Sequence, residues 1–108
     1  GNIDLERDLS PVQDLCETMV EIVKQRARFH GHTLMNVCSG RPRALRPLIH
    51  ALGRKLDREV DIVIDPTRVR AGEPQRVVGS DRKLREFLGI RQRERSDDEF
   101  ISLFLEDL

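Results

Sequence analysis

The sequence has 108 residues, a mass of 12.5 kDa and equal numbers of basic and acidic residues, 19 each. A chain of this length predicts a single domain over residues 1–108. Its formal net charge of zero argues against a protein that holds nucleic acid through a general positive field. No apolar run reaches membrane-spanning length and no signal segment is present, so a cytoplasmic location without a membrane partner is expected.

The charge is distributed unevenly along the chain. Residues 1–21 carry one base and six acids, a net of −5. Residues 41–58 carry six bases and one acid, and residues 68–95 carry nine bases and four acids, a net of +5 in each case. Such stretches are usually solvated helix faces, and the alternative is one basic wall that receives an anionic ligand.

The first predicted elements are a short strand and a helix. Residues 4–9 are read as a strand or an extended segment. Ser10 is a suitable N-cap, Pro11 fits the first helical position, and Gln13 follows three residues after the cap. Helical spacing of apolar residues then predicts a helix to about residue 28. The residues of that spacing are Val12, Leu15, Cys16, Met19, Ile22 and Val23.

A strand–helix–strand pattern follows. Residues 33–37 form an apolar run that predicts a buried strand, and residues 60–64 are β-branched and predict another. Between them lies a helix with its cap near Ala44, because Pro47 is tolerated only within the first turn. This order predicts a βαβ unit with two parallel strands.

Two more helices complete the predicted fold. One begins near Ser80 or Asp81 and ends before Gly89, and we expect it to bury Leu84, Phe87 and Leu88. The capping box at residues 96–99 starts the last helix, whose apolar face is Phe100, Ile101, Phe104, Leu105 and Leu108. The predicted fold class is α/β, with a small, mostly parallel sheet of two or three short strands and about four helices.

Motifs for catalysis, cofactor binding or metal binding are weak in this chain. It contains no glycine-rich nucleotide loop, and His30, His32 and His50 are scattered. Cys16 and Cys38 lack a Cys-x-x-Cys partner and continue apolar faces, so buried free thiols are expected. We therefore assign no catalytic, cofactor-binding or metal-binding residue within these 108 positions.

One segment does suggest ligand binding. Arg70 and Glu73 lie three residues apart in a stretch broken by Pro and Gly. A guanidinium group matches phosphate oxygens, and a carboxylate accepts hydrogen bonds from sugar hydroxyls. This combination indicates a site for a ligand of the nucleotide-sugar kind.

Four segments resemble the extended short-chain dehydrogenase/reductases, and among them the GDP-mannose 4,6-dehydratases. Residues 1–8 resemble the stretch Gly-Asn-Leu-Asp-x-x-Arg-Asp, and residues 34–40 resemble Tyr-Asn-x-x-Ser-Gly. Residues 65–74 resemble Asp-Pro-x-x-x-Arg-Pro-x-Glu. Residues 78–89 resemble Gly-Asp-x-x-Lys-Leu followed by Leu-Gly-Trp. The order and spacing of these segments cover the chain to about residue 90.

The resemblance implies a two-part, NAD(P)-dependent epimerase or dehydratase. Its first half is a Rossmann domain that holds NADP or NAD and a Ser/Thr, Tyr and Lys set, and its second half captures the nucleotide sugar. A dehydratase of this family oxidises the sugar at C4, eliminates water across C5–C6 and returns hydride to C6. This chain matches only the C-terminal, substrate-binding half. It contains no Tyr, so it lacks the Tyr-x-x-x-Lys motif and is expected to bind no cofactor by itself.

The resemblance also implies site residues. Arg7 and Arg70 match the arginines that contact the diphosphate, Glu73 matches the acid beside Arg70, and Asn2 is a lesser candidate. The chain departs from the family at Met35, Ala71-Gly72, Ser80 and Ile90, where Tyr, Pro-x, Asp and Trp are usual. Another sugar nucleotide, or a degenerate homologue, therefore stays open.

The expected partners are a nucleotide-diphosphate sugar and the missing N-terminal Rossmann domain, and a homodimer is the further partner considered. Because Gly1 lies directly on the Gly-Asn motif, we expect the chain to be part of a longer protein, unless Gly1 derives from a vector. The alternative function is a non-catalytic binding module that meets an anionic partner through its basic stretches.

Overall fold

The computed structural model describes residues 1–106, and within them the chain forms two compact units. Unit 1 contains Gly1–Arg7, Pro42–Val77 and the chain from Arg95 onward. Unit 2 contains Asp8–Arg41 and Val78–Glu94. The expectation of one domain over residues 1–108 stays a prediction.

Unit 1 contains a three-stranded sheet formed by β1 (Glu6–Arg7), β2 (Arg43–Ala44) and β3 (Arg76–Val77). The strands lie in the order β2–β1–β3. β1 is antiparallel to β2 and parallel to β3, with Glu6 opposite both Ala44 and Arg76. The α/β class with two or three short strands is confirmed, and the sheet is mixed because it has one pair of each kind.

Helices α2 (Leu45–Lys55) and α4 (Asp97–Glu106) pack against each other in the same unit. α2 follows Ala44 as predicted, and the Leu45 N–H donates to the Leu5 carbonyl at 3.1 Å. The predicted capping box of α4 is confirmed, because the Glu99 N–H donates to Ser96 Oγ at 3.1 Å and the Ser96 N–H donates to Glu99 Oε2 at 2.8 Å. Leu108 of the predicted apolar face lies outside the described residues. The buried apolar residues of the unit are Ile3, Leu5, Ala51 and Ile101.

The predicted βαβ unit is wrong. Residues 33–37 and 60–64 form no strand, although β-branched and apolar residues fill both segments. Neither segment was predicted to be exposed, yet Leu34 is 75% exposed and Val63 is 88% exposed. A strand forms only where a neighbouring backbone supplies hydrogen-bond partners, and sequence pattern alone does not show whether that neighbour is present.

Unit 2 is built on α1 (Val12–Lys24) and α3 (Arg82–Leu88). α1 ends four residues earlier than predicted, because a separate 3₁₀ turn occupies Arg26–Arg28. Ser10 is not the N-cap: Pro11 takes that position, and the Ser10 hydroxyl donates to Gln92 Oε1 at 2.6 Å.

α3 begins after Asp81 and ends at Gly89 as predicted, with Gly89 at a φ of 65°. Leu84 and Leu88 are buried as expected, whereas Phe87 remains exposed. The Phe87 ring meets the edge of Phe29 at a centroid distance of 5.4 Å.

Both cysteines are free thiols, but Cys16 is exposed and Cys38 is only half-buried. The prediction that both are buried is wrong. Cys16 lies on the apolar side of α1, which is exposed at Val12, Leu15, Met19, Val20 and Val23.

Candidate ligand-binding site around Arg7 and Glu73

Arg7 is held on the middle strand of the sheet by three hydrogen bonds. Its Nη2 donates to Glu73 Oε1 at 3.0 Å in an ion pair whose side chains are 23% and 29% exposed. Its Nη1 donates to the carbonyl oxygens of Glu6 at 2.8 Å and Pro74 at 3.1 Å. β1 is thereby fastened to the segment that precedes β3.

A guanidinium group has five N–H donors, so these contacts leave two of them for a ligand. Holding the group from one side reduces the side-chain entropy that binding an anion would otherwise cost. Arg7 is therefore a pre-oriented cation at the surface of unit 1.

The segment between Asp65 and Glu73 turns back on itself through local hydrogen bonds. Asp65 caps the 3₁₀ turn Pro66–Arg68: its Oδ1 accepts from the Thr67 hydroxyl at 2.7 Å and the Thr67 N–H at 3.0 Å. These two bonds, the hydroxyl first, lower the pKa of Asp65 from its usual value. Gly72 takes a φ of 76°, and the Glu73 N–H donates to the Arg70 carbonyl at 3.4 Å. This turn returns Glu73 to Arg7.

Arg70 lies on the same turn with an exposed side chain. Within residues 1–106 that side chain makes no hydrogen bond and no ion pair. Glu73 pairs with Arg7 rather than with Arg70. The convergence of Arg7 and Arg70 on one ligand therefore stays a prediction, as does the role of each.

Asn2 lies in a different part of unit 1. Its Oδ1 accepts from the Asp4 N–H at 2.9 Å. With residues 60–64 and one side of α2, it lines an apolar groove of about 480 Å³. The α2 residues of this groove are Leu45, Leu48 and Ile49.

Sequence reasoning missed a second ion pair beside Arg7. Glu6 Oε2 accepts from Arg76 Nε at 2.5 Å across the parallel β1–β3 pair, in which the two residues are direct partners. This contact raises the pKa of Arg76 above its usual value. Since neighbouring residues of a strand point to opposite faces, Glu6 and Arg7 fasten β1 to the β3 region from both sides. The Glu6–Arg76 contact can be predicted only when the pairing of β1 with β3 is known, and the sequence alone does not show that pairing.

Acidic partners occupy many of the basic side chains in residues 41–58 and 68–95. Arg46 Nε donates to Asp4 Oδ1 at 2.6 Å, and this bond lowers the pKa of Asp4. Arg43 Nη1 lies 2.5 Å from Asp97 Oδ1 and its guanidinium stacks on Phe100. Further ion pairs join Arg54 to Asp98, Arg68 to Asp65 and Arg85 to Asp81. The basic wall considered from the sequence is therefore interrupted by acidic partners, most of them in unit 1.

The region around residues 38–40 in unit 2 is organised by one carboxylate. Asp8 Oδ1 accepts from the Ser39 N–H at 3.0 Å and the Ser39 hydroxyl at 2.5 Å. Its Oδ2 accepts from the N–H groups of Gly40 at 2.9 Å and Gly79 at 3.1 Å. With four donors satisfied, Asp8 is a structural anchor rather than a base for chemistry.

Within residues 1–106, no group of three or more His, Cys, Asp or Glu side chains is arranged to hold a metal ion. No helix in the same range is long and apolar enough to cross a bilayer.

Known proteins match this chain over part of their length. The chain is 36% identical over 91 residues to GDP-6-deoxy-D-mannose reductase of Pseudomonas aeruginosa, covering 82% of this chain and 28% of the relative. It superposes on the structure of RMD from Pseudomonas aeruginosa complexed with NADPH at a TM-score of 0.74 and 29% identity, covering 99% of this chain and 33% of that one. A candidate epimerase from Burkholderia cenocepacia J2315 superposes at a TM-score of 0.81 and 29% identity, covering 99% and 34%. No protein-family model matches the sequence.

These matches support a C-terminal fragment of the extended short-chain dehydrogenase/reductase family. The chain spans about a third of the length of the relatives that it matches. These matches support a relationship to the epimerases and reductases of the family. The dehydratase activity expected from the sequence motifs is not confirmed, because the curated relative is a reductase.

Proposed function

We propose that this chain is the nucleotide-sugar-recognition portion of an NADP(H)-dependent enzyme that acts on a GDP-linked sugar. The observation that carries the proposal is the Arg7–Glu73 pair, which orients a guanidinium while leaving two donors for an anion. Arg70 adds an exposed cation from the same turn, and its side chain has no hydrogen-bond or ion-pair partner within residues 1–106. Sequence similarity to a GDP-sugar reductase supplies the ligand class.

In this proposal, Arg7 and Arg70 contact the diphosphate. Glu73 holds Arg7 in place, and its second carboxylate oxygen accepts a hydrogen bond from a ribose hydroxyl. Each charge-assisted arginine–phosphate contact contributes about 1.5–3 kcal/mol. Two such contacts contribute about 3–6 kcal/mol before the entropic cost of ordering the ligand and the side chains. After that cost, we expect a dissociation constant in the millimolar range or weaker for this chain alone.

The reaction that we assign to the whole enzyme is hydride transfer between NADP(H) and the sugar. A reductase is favoured over the 4,6-dehydratase suggested by the sequence motifs, because the curated relative is a reductase. Both reactions move hydride between the nicotinamide and a sugar carbon, so the same anchoring of the diphosphate serves either. The polypeptide outside the matched third would supply the cofactor site, as suggested by the NADPH complex of the structural relative. We place this enzyme in the cytoplasm.

The alternative of a module for acidic partners or nucleic acid receives less support. Five arginines of its basic stretches already have acidic partners within the described residues: Arg43, Arg46, Arg54, Arg76 and Arg85. Salt-sensitive binding of an oligonucleotide at micromolar concentration would favour that module.

The test compares Arg70→Ala with Arg68→Ala by ligand-observed NMR with GDP and GDP-mannose. Both arginines are exposed and lie on one turn, but Arg68 already contacts Asp65 at 3.4 Å. We expect Arg70→Ala to weaken binding about tenfold to a hundredfold, the equivalent of one phosphate contact, and Arg68→Ala to change it less than twofold. Equal affinity of wild type and Arg70→Ala would contradict the assignment of Arg70.

A further inference from the structure

The polar side of α1 lines a small cavity in unit 2. Asp14, Thr18 and Glu21 share this side of the helix because they are spaced by four and three residues, and residues 90–93 form the other wall. The cavity has a volume of about 190 Å³. A cavity needs only about 15 Å³ to hold one water molecule, so this one has room for a molecule of several heavy atoms.

Gln92 brings a buried hydrogen-bond donor without a partner to this cavity. The residue is 4% exposed. Its Oε1 accepts from the Ser10 hydroxyl at 2.6 Å, and its main-chain carbonyl accepts from Arg41 Nη1 at 3.1 Å. Its Nε2 has no hydrogen-bond partner in the part of the chain that the structure describes. Because a buried donor without an acceptor destabilises a fold, we expect a molecule in the cavity to supply that acceptor.

Both signs of charge line the cavity. Asp14, Glu17 and Glu21 of α1 supply three carboxylates. Arg91 and Arg93 on the other wall supply two guanidinium groups, so the lining has a net charge of −1. A simple anion would face the three carboxylates, and a simple cation would leave the amide donor without an acceptor. A ligand that carries both an ammonium group and a carboxylate matches the two walls, since each of its charged groups then forms charge-assisted hydrogen bonds.

We propose that this cavity binds a small zwitterion of the α-amino acid kind. The ligand carboxylate accepts a hydrogen bond from Gln92 Nε2 and faces Arg91 and Arg93. The ligand ammonium group faces the carboxylates of α1, of which Glu21 is shared with Lys24 at 2.7 Å. All the lining residues belong to unit 2, whereas the residues proposed to bind the nucleotide sugar belong to unit 1, so this site does not depend on that proposal.

The first experiment follows the side-chain amide resonances of the chain by NMR during titration with L-alanine. Propionate, which lacks the ammonium group, and ethylamine, which lacks the carboxylate, are the matched probes. We expect L-alanine to shift the Gln92 resonances with half-saturation at a millimolar concentration, and each matched probe to need about tenfold more. Gln25 is the internal control, because its Nε2 already donates to the Leu88 carbonyl at 3.1 Å in the same unit. Absence of a Gln92 shift, an equal shift of Gln25, or equal half-saturation for either matched probe would overturn the proposal.

The second experiment repeats the L-alanine titration with Glu17→Gln and with Arg93→Gln. Both substitutions change exposed side chains, so the melting temperature should stay the same. The half-saturation concentration should rise about threefold in each variant, because each removes one of the two kinds of charge that face the ligand. Arg82→Gln is the matched control, since Arg82 is exposed in the same unit but does not line the cavity. Unchanged half-saturation in either cavity variant, or an equal rise in the control, would contradict the zwitterion site.

Discussion

Glu73 lies 66 residues after Arg7 in the chain, and its Oε1 accepts a hydrogen bond from Arg7 Nη2 at 3.0 Å. The pair joins β1 to a turn that has no regular secondary structure of its own beyond Pro66–Arg68. It therefore positions both a proposed ligand arginine and the segment that carries Arg70.

We expect Glu73→Gln to loosen this turn without unfolding unit 1. The ion pair is partly exposed, so its loss should lower the free energy of unfolding by about 1 kcal/mol or less. Hydrogen exchange of residues 69–75 should become faster, while that of α2 and α4 should not change. Arg54→Gln is the control, since its pair with Asp98 is exposed and lies on the helices. Unchanged exchange in residues 69–75 would show that Glu73 does not hold the turn.

Asp8→Asn tests the anchor in unit 2. The substitution keeps the shape but replaces one acceptor oxygen by a donor facing the N–H groups of Ser39, Gly40 or Gly79. Leaving these partly buried donors unsatisfied should lower the free energy of unfolding by about 1–3 kcal/mol. Urea denaturation measures this loss, and Asp61→Asn, at an exposed position, should cost less than about 0.5 kcal/mol.

Helices were predictable from the sequence because their signals are local. The capping box at Ser96, the cap near Ala44 and the stop at Gly89 all lie where sequence reasoning placed them. Each depends on residues within one turn of the helix, which the chain carries with it.

Strands and buried faces were not predictable to the same degree because they depend on distant partners. β1 lies within residues 4–9, where a strand or extended segment was predicted. Residues 33–37 and 60–64 have strand-like sequences, yet the other two strands form at Arg43–Ala44 and Arg76–Val77. The helical spacing correctly identified which residues share the apolar side of α1. It could not show whether the chain itself buries that side, because burial depends on residues distant in sequence. Likewise, the sequence indicated Glu73 as an acid near Arg70, whereas the fold pairs it with Arg7.

Alkylation of the two thiols should differ in rate and in pH dependence. Burial raises the pKa of Cys38, and the nearby Asp8 carboxylate adds to the shift. Since the thiolate is the reactive form, labelling of Cys38 should be slower than that of the exposed Cys16 and should increase only at higher pH. Mass spectrometry after iodoacetamide treatment between pH 7 and about pH 10 measures both rates. Asp8→Asn should move the Cys38 profile toward lower pH, and an unmoved profile would exclude the carboxylate as a cause.

Lowering the pH should reduce the folding stability of unit 1 because Asp4 and Asp65 become protonated. The hydrogen bond from Arg46 lowers the pKa of Asp4, and the bonds from Thr67 lower that of Asp65. A carboxyl whose pKa is lower in the folded state stabilises the fold above its unfolded pKa of about 4, and this contribution disappears as the pH falls through the folded pKa. Stability measured between about pH 5 and pH 2 should therefore decrease less in Asp4→Asn than in wild type. Parallel curves for the two proteins would contradict a contribution from Asp4.

Close packing at Gly79 provides the sharpest test of the described geometry. A Cβ on Gly79 would lie 2.6 Å from Cys38 Sγ, 2.9 Å from Cys38 Cβ and 3.3 Å from Asp8 Oδ2. Gly79→Ala must therefore displace the chain that Asp8 anchors, and the free energy of unfolding should decrease by about 2–4 kcal/mol.

The double variant Gly79→Ala/Cys38→Gly removes both the sulfur atom and the Cβ that the new methyl group would contact. In a double-mutant cycle, the free energy of unfolding of the double variant should be about 1–2 kcal/mol higher than the value obtained by adding the effects of the two single variants. Gly72→Ala is the control, because it has open space around it and a φ of 76°, so it should show only backbone strain of about 1 kcal/mol. Additive effects of Gly79→Ala and Cys38→Gly would mean that the two residues are not in contact, because only residues that share a packing site show this coupling.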